Sequence, residues 1–175
     1  MASNEVKRLI VSADDVGLSP GIGAGAVEAL HSGIVTSLSV MTAVDGWEAT
    51  VELLKGAEVP DIGVHLTLCE GVPVLPPHEV PSLLGPGGRF PGDLGGVLMR
   101  LVTGQIRLSE VLAEWTAQVR RAQNAGLPVT HLDGHKHIHV APRLGRVCAA
   151  VAATTGVHGV RLPRQRRGPR PAVRW

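Results

Sequence analysis

The chain alternates between two hydrophobic periods. Short β-rich apolar runs, RLIVSA (8–13), IVTSLSVM (34–41), DIGVHLTL (61–68), PVTHLDGH from residue 128 and VHGVRL (157–162), alternate with segments whose apolar residues recur at three- and four-residue steps. Parallel strands need a long return connection, and a helix packed on the sheet supplies it. The alternation therefore predicts an α/β fold with a mostly parallel sheet or barrel. A length of 175 residues suits one domain with a substantial core.

The helical segments carry their own punctuation. Ser19 is an N-cap, Pro20 fits the first helical position and Gly33 closes the first helix. GWEATVELLKGA follows with Trp47, Val51 and Leu54 at helical spacing. RLSEVLAEWTAQVRRAQNAG (107–126) is the clearest helix, with Leu108, Val111, Leu112, Trp115 and Val119 on one stripe and Gly126 and Pro128 as the stop. A last helix spans PRLGRVCAAVAATTG (142–156). From Glu70 to about Gly104 the chain is rich in Pro and Gly and reads as a long functional loop, a lid or binding surface.

Composition excludes several function classes. Six of the 17 Lys and Arg, Arg161 among them, lie in residues 161–175, which leaves eleven for residues 1–160 against all 15 acids. The body is mildly acidic, and only an Arg/Pro-rich end, read as a disordered tail over 164–175, suggests nucleic acid; no nucleic-acid function is expected. Cys69 and Cys148 form no CxxC pattern and read as small buried residues. No apolar run approaches the roughly 20 residues of a membrane helix, and charges interrupt the N-terminus before a signal-peptide core forms. A cytoplasmic protein without a membrane span is the expectation.

In folds of this class chemistry gathers at the carboxyl ends of the strands. Asp14 and Asp15 end the first strand, His65 lies in the third, and THLDGHKHIH (130–139), which holds four of the eight histidines, ends the fourth. Carboxylate and imidazole from separate strand ends make a divalent-metal site with positions open to water and substrate. Blander readings stand beside it: a capping turn for the aspartates, a core histidine at 65, a polar rim for the rest. In an extended chain His135, His137 and His139 share one face. Gly21, Gly23 and Ala26, with Asp45 beyond, fit a dinucleotide fingerprint, but DDVGLSP separates them from the strand, so close helix packing is the better reading.

The motifs SADDVGLSPGI, GIVTSLSVM, IGVHLTLCEG with PVLPP, and THLDGHKHIHV, in this order, resemble the YdjC-like carbohydrate deacetylases, including chitooligosaccharide and hopanoid-associated members; Val16 replaces the usual Phe. The resemblance covers nearly all of residues 7–163. It implies an N-terminal part of a deacetylase domain over residues 1–163, an incomplete (β/α) barrel-like fold, and removal of acetyl groups from N-acetylated amino sugars or oligosaccharides. It implies Asp15, His65 and His135 as metal ligands, Asp14 as general base, and Asp133, His137 and His139 as residues that orient ligands or line the pocket. The ion it implies is divalent, magnesium first, with zinc or manganese as alternatives.

Family members run on beyond this length, and their later strands supply an HPG-type histidine as general acid. A barrel that ends near residue 163 leaves open strand edges. A second reading follows: a metal-binding, catalytically impaired remnant, or a homo-oligomer that covers its open edge.

Overall fold

A computed structural model describes residues 9–163. Five strands, β1 (Ser12–Val16), β2 (Ser37–Val40), β3 (Ile62–Leu66), β4 (Val129–Gly134) and β5 (Gly159–Val160), form one all-parallel sheet in the order β1-β2-β3-β4-β5. The helices between them are α1 (Pro20–Ser32), α2 (Trp47–Gly56), α3 (Leu94–Val102), α4 (Leu108–Asn124) and α5 (Leu144–Thr155). Spatial order follows chain order without reversal, so there is no topological switch point of the doubly wound kind; this is the barrel sense of winding. Arg161, next after β5, reaches Asp14 on β1 at 2.7 Å. Four strand spacings in a flat sheet would hold those edges about 19 Å apart, so the sheet is strongly curled.

The two faces differ in chemistry. Leu38, Val40, Ile62, Val64, Leu66 and Leu132, all essentially buried, face one way and join Trp115, Val119 and Val151 of α4 and α5 in the core. The concave face carries Ser39, His65, Asp133 and His131. The His131 ring lies across Gly63, and the His131 Cβ and Thr130 carbonyl press on Gly159; an added Cβ would collide at either position, which explains glycine inside two strands.

Caps match the expectation: Ser19 Oγ accepts the Ile22 N–H at 3.3 Å, and Pro20 opens α1. Gly23 packs so closely on Leu53 that a Cβ would clash, as close helix packing requires, and Asp45 pairs with Arg89 at 2.8 Å. Cys69 and Cys148 are buried free thiols.

Three expectations need correction. The first strand is not 8–13 but Ser12–Val16: Ser12, Ala13 and Val16 pair with β2 and carry the strand past the aspartates, while Leu9 and Ile10 lie exposed. The segment 70–104 is not all loop, for α3 forms where Asp93 caps the Gly96 N–H at 2.5 Å. Its first half is pinned by buried acids of α4: Glu114 accepts the N–H groups of Val74 and Leu75 at 2.9 and 3.0 Å, and Glu110 that of Ser82 at 2.7 Å. Thirdly, β4 ends at Gly134, and residues His135–Val140 form a tight 3-10 turn, so His135, His137 and His139 do not share one face. The tail expected over 164–175 lies outside the described residues. Among these, no helix is long and apolar enough to cross a membrane.

Candidate functional site

Neighbouring side chains on a regular strand point to opposite faces. The β1–β2 register slips between Ala13 and Val16, and Asp15 adopts a left-handed backbone with φ 61°. This irregularity brings both Asp14 and Asp15 to the concave face beside His65. The chain beyond β4 uses a similar device, with left-handed backbone at Lys136 (φ 53°) and His137 (φ 56°). Non-glycine residues in that region cost about 1–3 kcal/mol each and gather at functional sites.

Asp15, His65 and His135 converge so that one ligand atom from each lies within 4.8 Å of the others. Asp15 Oδ1 is 3.2 Å from His65 Nε2 and 2.7 Å from His135 Nδ1. Two ligands at right angles around an ion about 2.1 Å away would be about 3 Å apart. One carboxylate and two imidazoles suit a divalent ion with open positions, so the residues fit the metal that the resemblance implies.

Behind His65 lies Asp133, only 1% exposed. Its Oδ1 accepts His65 Nδ1–H at 2.8 Å and a very short bond from Ser39 Oγ, while Oδ2 accepts Arg161 Nη1 at 3.1 Å. Burial alone would raise this carboxyl, but the bond and charge of His65, with Ser39 and Arg161, outweigh it and hold it at about 2. Burial likewise disfavours a charged His65, yet Asp133 raises its pKa on balance. Asp14 accepts Arg161 Nη1 on both oxygens, at 2.7 and 2.8 Å, and Ser12 Oγ at 2.8 Å.

His139 is buried and its Nε2–H donates to the Arg161 carbonyl at 2.8 Å, so it supports the arginine from behind. Burial lowers its pKa. His137 is exposed, its ring 6.4 Å from that of His139. A cavity of about 600 Å³ opens between the starts of α1 and α2, lined by Leu18, Ala24, Ala49, Asp45, Arg89 and Glu70. Glu70 is also in contact with His135, so cavity and cluster share a wall.

Residues 8–174 match the family described as YdjC-like protein. The chain belongs to the YdjC-like family. It is 40% identical to a mouse carbohydrate deacetylase over 91% of this chain and 51% of the relative. It is 33% identical to a chitooligosaccharide deacetylase of Escherichia fergusonii over 90% of this chain and 60% of the relative. A solved Enterococcus faecalis structure, named for cellobiose-phosphate cleavage, superposes with a TM-score of 0.75 and 30% identity, over 86% of this chain and 57% of that one. The chain thus spans about half the length of the curated relatives it matches.

Three residues of this cluster in the YdjC-like chain carry no signal in the sequence motifs. Ser39 shares strand parity with His65 and Asp133, a signal that alternation alone could have given. Arg161 is hidden in the count of C-terminal arginines. Glu70 stands at the edge of the Pro/Gly-rich segment with nothing local to tie it to a histidine 65 residues away.

Proposed function

We propose that this YdjC-like chain is a metal-dependent hydrolase that removes acetyl groups from N-acetylated amino sugars or short oligosaccharides. The observation that carries it is the convergence of Asp15, His65 and His135 beside Asp14; the names of the mouse and E. fergusonii relatives support the substrate class. A divalent ion held by the three ligands, magnesium first, with zinc or manganese as alternatives, supplies Lewis acidity that acidifies water and polarises the acetamide carbonyl.

The remaining work falls to the chain. Asp14, held by Ser12 and Arg161, is the base that takes a proton from the attacking water at its carboxylate. Asp133 keeps the proton of His65 on Nδ1 and leaves Nε2 for the ion. His139 fixes the Arg161 backbone. The sugar lies toward the cavity walled by Glu70, and the segment 70–104 forms part of its surface. The proton taken by Asp14 passes to the leaving nitrogen as the C–N bond breaks, so acetate and a free amino sugar are the products. Nothing among the described residues favours the impaired remnant.

The test is calorimetric titration of metal-stripped protein with Mn²⁺, Zn²⁺ and Mg²⁺, followed by acetate release from diacetylchitobiose. Stoichiometric binding with acetate release is expected. Absence of binding by the folded protein overturns the reading, and binding without acetate release favours the remnant.

A further inference from the structure

Glu70 makes contacts that none of the roles above uses. Its Oε2 lies 2.5 Å from His135 Nε2 and 3.1 Å from Lys136 Nζ. The opposite nitrogen of the same imidazole, Nδ1, faces Asp15 at 2.7 Å. A neutral imidazole carries one N–H, and an ionised carboxylate only accepts. A proton on Nε2 therefore satisfies Glu70 and bares the Nδ1 lone pair toward the cluster; a proton on Nδ1 leaves Glu70 facing a lone pair and blocks the ligand position.

His65 shows the same logic with its nitrogens exchanged: Nδ1 donates to Asp133, and Nε2 faces Asp15. The two imidazoles, which meet edge to face with centroids 5.6 Å apart, thus approach one carboxylate through different ring atoms, each with a second carboxylate behind. The left-handed backbone at Lys136 lets two consecutive residues reach the same oxygen of Glu70, which side chains alternating on a strand would not do.

We propose that Glu70, steadied by Lys136, is a positioning residue that fixes His135 as the Nε2–H tautomer with Nδ1 free for a divalent cation. The proposal rests on the metal-site reading above and adds to it the residue that sets one ligand. It also links the cluster to the segment 70–104, since Glu70 is the first residue of that segment and walls the cavity.

The test uses the whole chain, with Glu70→Ala, Glu70→Gln and Lys136→Met beside wild type. Mn²⁺ and Zn²⁺ affinities are measured by calorimetry, and ¹⁵N spectra of the His135 ring are recorded without metal. Partners of this kind are worth about 10- to 100-fold in metal affinity. Glu70→Ala is expected to lose that much while the unfolding midpoint stays near wild type. Lys136→Met should lose less, and the ¹⁵N spectrum should change from Nε2–H in wild type to a tautomer mixture in Glu70→Ala. If Glu70→Ala does not fold, Glu70→Gln, which keeps an acceptor but loses the charge, takes its place. Affinities within twofold of wild type, or an Nδ1–H tautomer in the wild type, overturn the proposal. Absence of metal binding by wild type overturns instead the metal-site reading, and the ¹⁵N result then still decides the tautomer.

Discussion

The Arg161 guanidinium bridges Asp14 and Asp133, at 2.7 and 3.1 Å, although the three residues come from three different strand ends. One nitrogen, Nη1, makes both contacts. The same arginine thus holds the base of the proposed reaction and the carboxylate behind His65.

Arg161→Ala is expected to release Asp14 while the three metal ligands stay in place. A misplacement of about 1 Å costs on the order of 10²-fold in rate, so kcat for acetate release should fall by about 100-fold and metal affinity by less than tenfold. Steady-state kinetics beside calorimetry separates the two. Unchanged kcat would remove the arginine from the mechanism.

The adjacent aspartates should part company on substitution. Asp15→Ala is expected to abolish stoichiometric metal binding, because it faces both His65 and His135. Asp14→Asn should keep the metal and lose about 10²- to 10⁴-fold in kcat, the usual worth of a general base. The reverse pattern would exchange their roles.

Asp133 makes the fold sensitive to acid. Its folded-state pKa is depressed to about 2 from an ordinary value near 3.8. A depressed carboxylate contributes stability that is present above the ordinary pKa and is lost as pH falls from about 4 through 2. The contribution is about 2 kcal/mol. Urea unfolding between pH 2 and 5 should show this loss in wild type and a flatter profile in Asp133→Asn. Parallel profiles would sink the assignment.

Glu114 is a structural test independent of any ion. It is fully buried, and its two oxygens serve the N–H groups of Val74 and Leu75. Burial raises its pKa despite the bonds from Gln118 and these amides. Glu114→Ala strands two donors at about 1–3 kcal/mol each, so a loss of about 2–6 kcal/mol is expected by urea unfolding. A loss under 1 kcal/mol would show that water replaces the carboxylate.

Much of the architecture is legible because it rests on local periodicity. The stripe through Leu108, Val111, Trp115 and Val119, the Ser19-Pro20 start and the apolar runs at 34–41 and 61–68 each encode an element without reference to the rest of the chain. RLIV is the more apolar stretch and draws the expected first strand to 8–13, whereas pairing with β2 favours Ser12–Val16. The helix at 94–102 is not legible in the sequence, because its two glycines and the surrounding prolines mask a one-sided apolar face.

The sequence by itself determined the alternation of strand and helix, the family, and the residue types that meet at the strand ends. Only the tertiary structure decided which atoms face which. A bulge turns Asp14 and Asp15 to the same side, and a left-handed turn directs His135 and Lys136 to Glu70 and leaves His137 exposed. The curl of the sheet brings Arg161 across to Asp14. These are long-range relations, and a side chain's direction at a strand end depends on backbone angles that pairing and packing set rather than on its own neighbours in the chain.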